Sequence, residues 1–352
     1  MKKISIYFIT VLLAGLIALP AAETQAGNKD RSGEAGASEL LINPWAKSSG
    51  WGGVNTAGIM GVESMFVNVA GLAHSSRTEI AFGHTNWLKG ADIDVFSFGL
   101  AQKLGESGVL GISVMSMSFG DIPITTPSNP EGGIGTFSPN LMNFGFSYSR
   151  VFSNSIYGGM QIKIISESIA DLSAVGFAID AGIQYITGET ENVKFGITLK
   201  NWGPTMKFSG DGLAIRTLLP GQDSEFTVEQ RSGTFQLPSQ LKIGASYDIN
   251  FNEDYRWTFA ADFVSNAFTK DQIIFGTEVS LKNYVQIRGA YAYEEGITSD
   301  DDRSTVFTGP SGGITVQVPF DKEKGTGIGI DYSYTSTDPF DGVHRIGARL
   351  YF

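Results

Sequence analysis

The residues with chemistry to offer lie in stretches where polar and apolar side chains alternate. Lys163, Asp180, Lys194, Lys200, Lys242, Asp248, Asp262, Glu278, Arg288, Asp331, Arg345 and Arg349 all take the polar phase of a period of two, which gathers them on one face of β-strands. Such a set could line a channel and set its selectivity. It could equally pair within itself and with an internal plug, and this is the favoured reading, because buried charges without partners are costly. Catalytic chemistry is not expected. His74, His84 and His344 fall at the periplasmic end, in the first strand and at the start of the last, there is no Cys, and no zinc-ligand spacing or nucleophile-elbow sequence is present. The expectation is no enzyme, no catalytic residue, no metal and no cofactor. A formal charge of -11 supplies no basic stripe for phosphates, so nucleic acid is not an expected partner.

The elements that must position these residues are read from the same alternation. Met142, Phe144, Phe146 and Tyr148 oppose Asn143, Gly145, Ser147 and Ser149, and Leu241, Ile243, Ala245 and Tyr247 oppose Lys242, Gly244, Ser246 and Asp248. Fourteen such stretches are marked, near 77–88, 92–104, 107–119, 140–153, 155–167, 174–188, 192–208, 235–250, 254–266, 271–282, 284–295, 311–319, 325–337 and 342–352. Most are long enough to cross a bilayer at the tilt of a barrel strand. The three longest gaps, 120–139, 209–234 and 296–310, follow the third, seventh and eleventh strands. They therefore fall on one side, as the external loops of an outer-membrane barrel do. At 107–119, Leu110, Ile112 and Val114 make both faces apolar, which suggests a packed lumen there. With 44 Gly, 12% aromatic and only 17% charged residues, the composition suits a closed barrel whose outer face meets lipid.

The two ends add to this. Lys2 and Lys3, an apolar run and a Thr-Gln-Ala26 site predict a signal peptide over 1–26, followed by a flexible tail over 27–38. The final strand carries Ile346, Ala348, Leu350 and Phe352 on one face. It resembles the barrel-insertion signal of bacterial outer-membrane proteins, with Gly347, Leu350 and Phe352 at its marker positions, although Leu350 stands where an aromatic is usual. Residues 39–76, with too many Gly for a helix and too little alternation for a lipid-facing strand, are assigned to a plug or hatch in the lumen. Trp45 and Trp51 are expected to pack it, and Trp87, Trp202 and Trp257 to join aromatic girdles. The fold class is thus all-β: a 14-stranded antiparallel transmembrane β-barrel over 77–352 with an N-terminal lumen plug.

Asn68-Val-Ala-Gly-Leu72 resembles the Asn-Pro-Ala-Gly-Leu box of the long-chain fatty-acid transporter (FadL-like) superfamily, with Val69 in place of Pro; Asn68, Ala70, Gly71 and Leu72 carry the match. Leu41-Ile-Asn-Pro44, Ser48-Ser-Gly-Trp-Gly-Gly53, His84-Thr-Asn-Trp-Leu88, the stretches at 120–126 and 130–139, and Lys200-Asn-Trp-Gly-Pro204 continuing to Gly212 are similar to one branch of it. That branch is the PorV/PorQ outer-membrane proteins of the Bacteroidetes type IX secretion and gliding systems. The resemblance implies a plugged 14-stranded barrel in the bacterial outer membrane that handles proteins. Its implied partners are outer-membrane lipid, exported proteins bearing sorting domains, and translocon or attachment components. Recognition is expected in the long loops, with Pro123, Pro127, Pro130, Phe137, Pro139 and Asp211 as candidate residues, since long ordered loops are usually functional. The alternative is a FadL-like transporter of hydrophobic small molecules.

Overall fold

The computed structural model describes residue 31 and residues 33–75, 77–221, 223–252, 254–282, 284–321 and 325–352. The expected signal peptide, and the tail before residue 31, lie outside them. Fourteen antiparallel strands close into a barrel: β1 (Thr78–Trp87), β2 (Ile93–Leu104), β3 (Gly108–Ser118), β4 (Asn140–Val151), β5 (Ile156–Ile169), β6 (Leu172–Thr187), β7 (Val193–Trp202), β8 (Gln240–Asn250), β9 (Tyr255–Asn266), β10 (Gln272–Leu281), β11 (Val285–Glu294), β12 (Phe307–Asp321), β13 (Thr326–Thr337) and β14 (Val343–Tyr351). Closure is made by β1 and β14, in register from Glu79 opposite Tyr351 to Asn86 opposite His344. Full closure removes the free edges that an open sheet would present.

Alternation sorts the wall into two surfaces. Phe82, Phe146, Ile162, Ile183, Ile197 and Ile346 point outward and are exposed. Lys163, Asp180, Lys242, Asp262, Glu278, Arg288 and Asp331 point inward and are buried. Leu110 and Ile112, which the sequence suggested for a packed lumen, are outward and exposed; the inward apolar residues of β3 are Val109, Met115 and Met117. Apolarity on both faces hid the phase of this strand, and register with β4 decides it, since Ile112 pairs with the outward Phe146. Trp87 also departs from expectation. It packs inward with Ile42, Val95, Met115 and Met117 rather than joining an outer girdle.

Strand ends differ where backbone chemistry intervenes. The seventh strand was expected to reach 208 but stops at Trp202, because Asn201 adopts φ 58° and Pro204, two residues on, has no amide hydrogen to donate. Met206–Lys207 pairs instead with Thr234–Phe235 in a separate two-stranded sheet. At β12 the strand begins at Phe307, ahead of Pro310, by means of an irregularity between Phe307 and Ser311. A bulge of this kind accommodates a proline within a paired strand.

Inside the barrel runs the chain from Gly33 to Ser75, built of single turns: Ser38–Leu41, Ala46–Ser49, Ser64–Val67 and Val69–His74. Its start is tied down, since Ala35 bridges Gln236 and the Gly36 amide donates to the Gln236 carbonyl at 3.0 Å. Trp45 and Trp51 are buried in it. Inward glycines of the wall let its backbone approach. A Cβ on Gly159 would fall 2.8 Å from the Val69 oxygen and 2.9 Å from its carbonyl carbon. A Cβ on outward Gly289 would meet nothing nearer than 3.7 Å.

Replacing Gly159 with Val should therefore overpack the seam between plug and wall at a cost of about 1–3 kcal/mol, lowering the urea midpoint in detergent and raising ion conductance in planar bilayers. Gly289→Val should leave both unchanged. Equal effects of the two substitutions would count against this packing.

Candidate functional site

The inward charges of the wall meet the plug. Arg349 on β14 donates to Asp331 on β13 through Nε at 2.8 Å and Nη2 at 3.2 Å, and the same Nε lies 3.8 Å from Glu63 of the plug. The other Glu63 oxygen accepts the Ser48 amide at 2.7 Å. Arg345, two inward positions earlier, donates to the Asn43 carbonyl at 3.0 Å. Further round the wall, Trp51 donates its indole N–H to Glu278 at 3.2 Å, and Glu278 also accepts from Arg288 at 2.9 Å. Thr56 donates to Asp262 through its amide at 3.1 Å and its hydroxyl at 2.6 Å. Two further pairs lie within the wall, Lys163 with Asp180 at 2.6 Å and Lys194 with Asp248 at 2.7 Å. Most of the lumen charges are thus engaged with one another and with the plug; Lys200 is an exception, its ammonium lacking a hydrogen-bond partner and lying 3.6 Å over the Phe66 ring. Removing one member of a buried pair strands the other charge at a cost of about 3–5 kcal/mol.

The Asn68 to Leu72 box is a single assembly. Asn68 donates to the Thr56 carbonyl at 2.9 Å and to the Ile183 carbonyl of the wall at 3.1 Å, while its side-chain oxygen accepts the Ala70 amide at 3.2 Å. Ala70 is fully buried, and its carbonyl accepts from the Ser149 hydroxyl at 3.0 Å. Gly71 presses against the Ile59 carbonyl, which leaves no room for a side chain. Leu72 packs with Trp45, Val62, Met65 and Val109. Sequence reasoning did not single out Glu39, Asn43, Thr56, Glu63 or Gln184. The available signal was an acid held among apolar residues in a glycine-rich stretch, as in Val62-Glu63-Ser64-Met65.

The long loops gather at the other candidate surface. In 119–139, Ile122 pairs with Phe137 and Pro123 with Thr136, so Pro123 and Phe137 belong to one small hairpin. Thr126 bridges Asn129 across Pro127 at the tip, Pro130 follows the tip and Pro139 enters β4. In the second loop Asp211 opens a single turn, Asp211–Leu213, and is not part of that hairpin. Beyond it Ala214–Leu218 pairs with Glu225–Glu229 as a ribbon that exposes Ile215, Leu218 and Phe226. Asp300-Asp301-Asp302 and Asp338 crowd the same end; Arg303 answers Asp300 at 3.2 Å and Asp338 at 2.5 Å. At the far end of the chain, Gly347 faces inward beside Ala46, Leu350 is half-buried and Phe352 is exposed.

A family model described as type IX secretion system membrane protein PorP/SprF matches residues 131–349. The chain belongs to this family. The match names PorP/SprF, where the sequence boxes resembled PorV/PorQ; both are type IX secretion proteins. No curated protein sequence matches the chain. Solved structures do. The Pseudomonas putida toluene transporter TodX is 12% identical with a TM-score of 0.56, over 88% of this chain and 97% of that one. The Ralstonia pickettii toluene transporter TbuX is 12% identical with a TM-score of 0.54, over the same shares. A Pseudomonas aeruginosa FadL homologue is 11% identical with a TM-score of 0.51, over 88% and 98%. At this identity the likeness is one of fold, a FadL-like barrel. This PorP/SprF protein therefore combines a barrel shared with small-molecule transporters and membership in a secretion family.

The plug also contains a group that reports on its own burial. His74 ends the last plug turn and stacks on Tyr157 with ring centroids 4.0 Å apart. Burial brings its pKa down from 6.5 to about 4, and Lys194 adds to the effect. The neutral ring is the one that fits. Its contribution is present above pH 6.5, where the unfolded chain is neutral too, and is lost as pH falls toward 4, because the unfolded state then binds the proton first. The loss is on the order of 3 kcal/mol across that window. Urea unfolding in detergent at pH 7 and pH 4.5 should show it, and His74→Phe should flatten that part of the profile. An unchanged slope in the variant would contradict the assignment.

Proposed function

We propose that this PorP/SprF protein is a non-enzymatic outer-membrane barrel of the type IX secretion system. It binds protein partners, either exported proteins bearing sorting domains or translocon and attachment components, at its long-loop end. One observation carries the reading: the lumen is filled by a plug held by buried ion pairs and hydrogen bonds, while the long-loop end presents paired hairpins with exposed apolar side chains. A filled lumen suits a support better than a conduit. Pro123, Pro127, Pro130 and Pro139 lower the entropy lost when the first hairpin meets a partner, and Phe137, Asp211, Ile215, Leu218 and Phe226 add apolar and acidic contacts. The outward apolar surface of the wall would face lipid. A final strand with Gly347, Leu350 and Phe352 would serve insertion of the barrel, and the box at Asn68, Ala70, Gly71 and Leu72 would hold the plug. The sequence boxes extend the reading toward a PorV/PorQ-like role in receiving sorting-domain proteins.

A FadL-like transporter of hydrophobic small molecules is the second reading. It is favoured by the toluene-transporter fold and by an apolar groove of about 480 Å³ on the outer wall, lined in part by Phe82, Phe96, Phe98 and Ile346. Inside, a cavity between plug and wall beside Glu39, Trp45 and Lys163 measures about 50 Å³, too small for a fatty acid.

Replacing the ribbon at 214–229 with a short Gly-Ser turn tests the first reading. The barrel should still assemble, judged by heat-modifiable migration in gels. Secretion of sorting-domain proteins should fall about tenfold, equivalent to about 1.4 kcal/mol of lost partner binding, and type IX components should no longer co-purify. Undiminished secretion and co-purification, together with uptake of labelled palmitate by proteoliposomes, would favour the transporter.

A further inference from the structure

The cavity between plug and wall is lined by an unusual set of groups. Glu39 and Leu40 of the first plug turn, Asn143 on β4, and Gln161 and Lys163 on β5 all face it. Glu39 is 1% exposed, Gln161 2%, Lys163 6% and Asn143 8%. Three side-chain oxygens among them, Glu39 Oε1, Asn143 Oδ1 and Gln161 Oε1, are buried with no hydrogen-bond partner. Gln161 donates its Nε2 to the Ser113 hydroxyl at 3.2 Å.

The one ammonium group in the lining is committed elsewhere. Lys163 sits 2.6 Å from Asp180 and donates to Asn201 at 2.6 Å. Lys200 is held 3.6 Å over the Phe66 ring, which also lines the cavity. Among the described residues the Glu39 carboxylate enters no ion pair, since Lys163 is taken by Asp180. Water can satisfy acceptors, but it cannot balance a charge, and a buried carboxylate without a cation is strongly disfavoured. Burial, followed by the nearby Glu167 carboxylate, pushes Glu39 up to about 7 when nothing neutralises it.

We propose that this cavity binds one small monovalent cation, coordinated by Glu39 Oε1, Asn143 Oδ1 and Gln161 Oε1, which ties the start of the plug to β4 and β5. All-oxygen donors suit hard cations. A single lining carboxylate suits a monovalent one, and a volume of about 50 Å³ admits an alkali ion with a water or two and excludes organic ligands. The site does not depend on the partner reading and adds a ligand to the plug itself.

The test is hydrogen–deuterium exchange of residues 38–45 in the detergent-solubilised full protein at pH 8, in sodium, potassium or N-methyl-D-glucamine chloride at equal ionic strength. Exchange should slow saturably in at least one alkali salt relative to N-methyl-D-glucamine. The slowing is about tenfold when the salt stands at ten times the dissociation constant. Glu39→Gln and Asn143→Leu should each abolish the salt difference whatever they do to the exchange rate itself. Crystals grown in rubidium chloride should show an anomalous peak among Glu39, Asn143 and Gln161. Identical protection in all three salts, or water-only density at the site, would overturn the proposal.

Discussion

Arg349 holds the molecule to one arrangement. Its guanidinium is shared between Asp331 on the neighbouring strand and Glu63 on the plug, so the last strand is tied to the wall and to the lumen contents at once. The strand that closes the barrel against β1 is also the one that grips the plug. Buried guanidinium and carboxylates are tolerable only together, and neither plug nor last strand is fully satisfied without the other. Arg345 on the same strand repeats the device with a backbone carbonyl of the plug.

The rest of the architecture follows from this constraint. A wall that is apolar outside must put its polar residues inside, and an empty lumen would leave Asp262, Glu278 and Arg288 facing only one another and water. The plug supplies Thr56, Trp51 and Glu63 as partners, while Gly159 and Gly196 leave room for its backbone. The plug has little regular structure because it is shaped to the wall: its turns are single, and its backbone groups are answered by Asn68, Ser149 and Gln184. With the lumen occupied in this way, the proposed recognition falls to the rim and the loops. This joins a barrel like those of toluene transporters to membership in a secretion family.

Much of this was legible in the sequence because a strand announces both faces at once. Phe146 against Ser147, or Ile243 against Lys242, fixes which residues enter the lumen, and the side on which the long gaps fall follows from the strand count. The phase disappeared where both faces were apolar, and there Leu110 and Ile112 were given to the lumen although they face out. Asn201, whose left-handed backbone ends β7, reads as one more polar residue in an alternating stretch. The plug was legible at its box but not at its anchors. Glu39, Thr56 and Glu63 sit in a stretch without period, and only the fold reveals which wall residues they meet.

The central claim is that the plug is a fixed closure and that the protein works from its rim. The chain has no Cys, so a single engineered disulfide can test this without competing thiols. A Cβ on Gly347 would lie 3.4 Å from the Ala46 Cβ, close to the separation that a disulfide requires. The measurement is secretion of sorting-domain proteins by cells carrying Ala46→Cys with Gly347→Cys, under oxidising and reducing conditions, beside the two single variants. Equal secretion with the plug locked and unlocked is the predicted result. Secretion that stops on oxidation and returns on reduction, in the double variant alone, would show that the plug must move and would contradict the account.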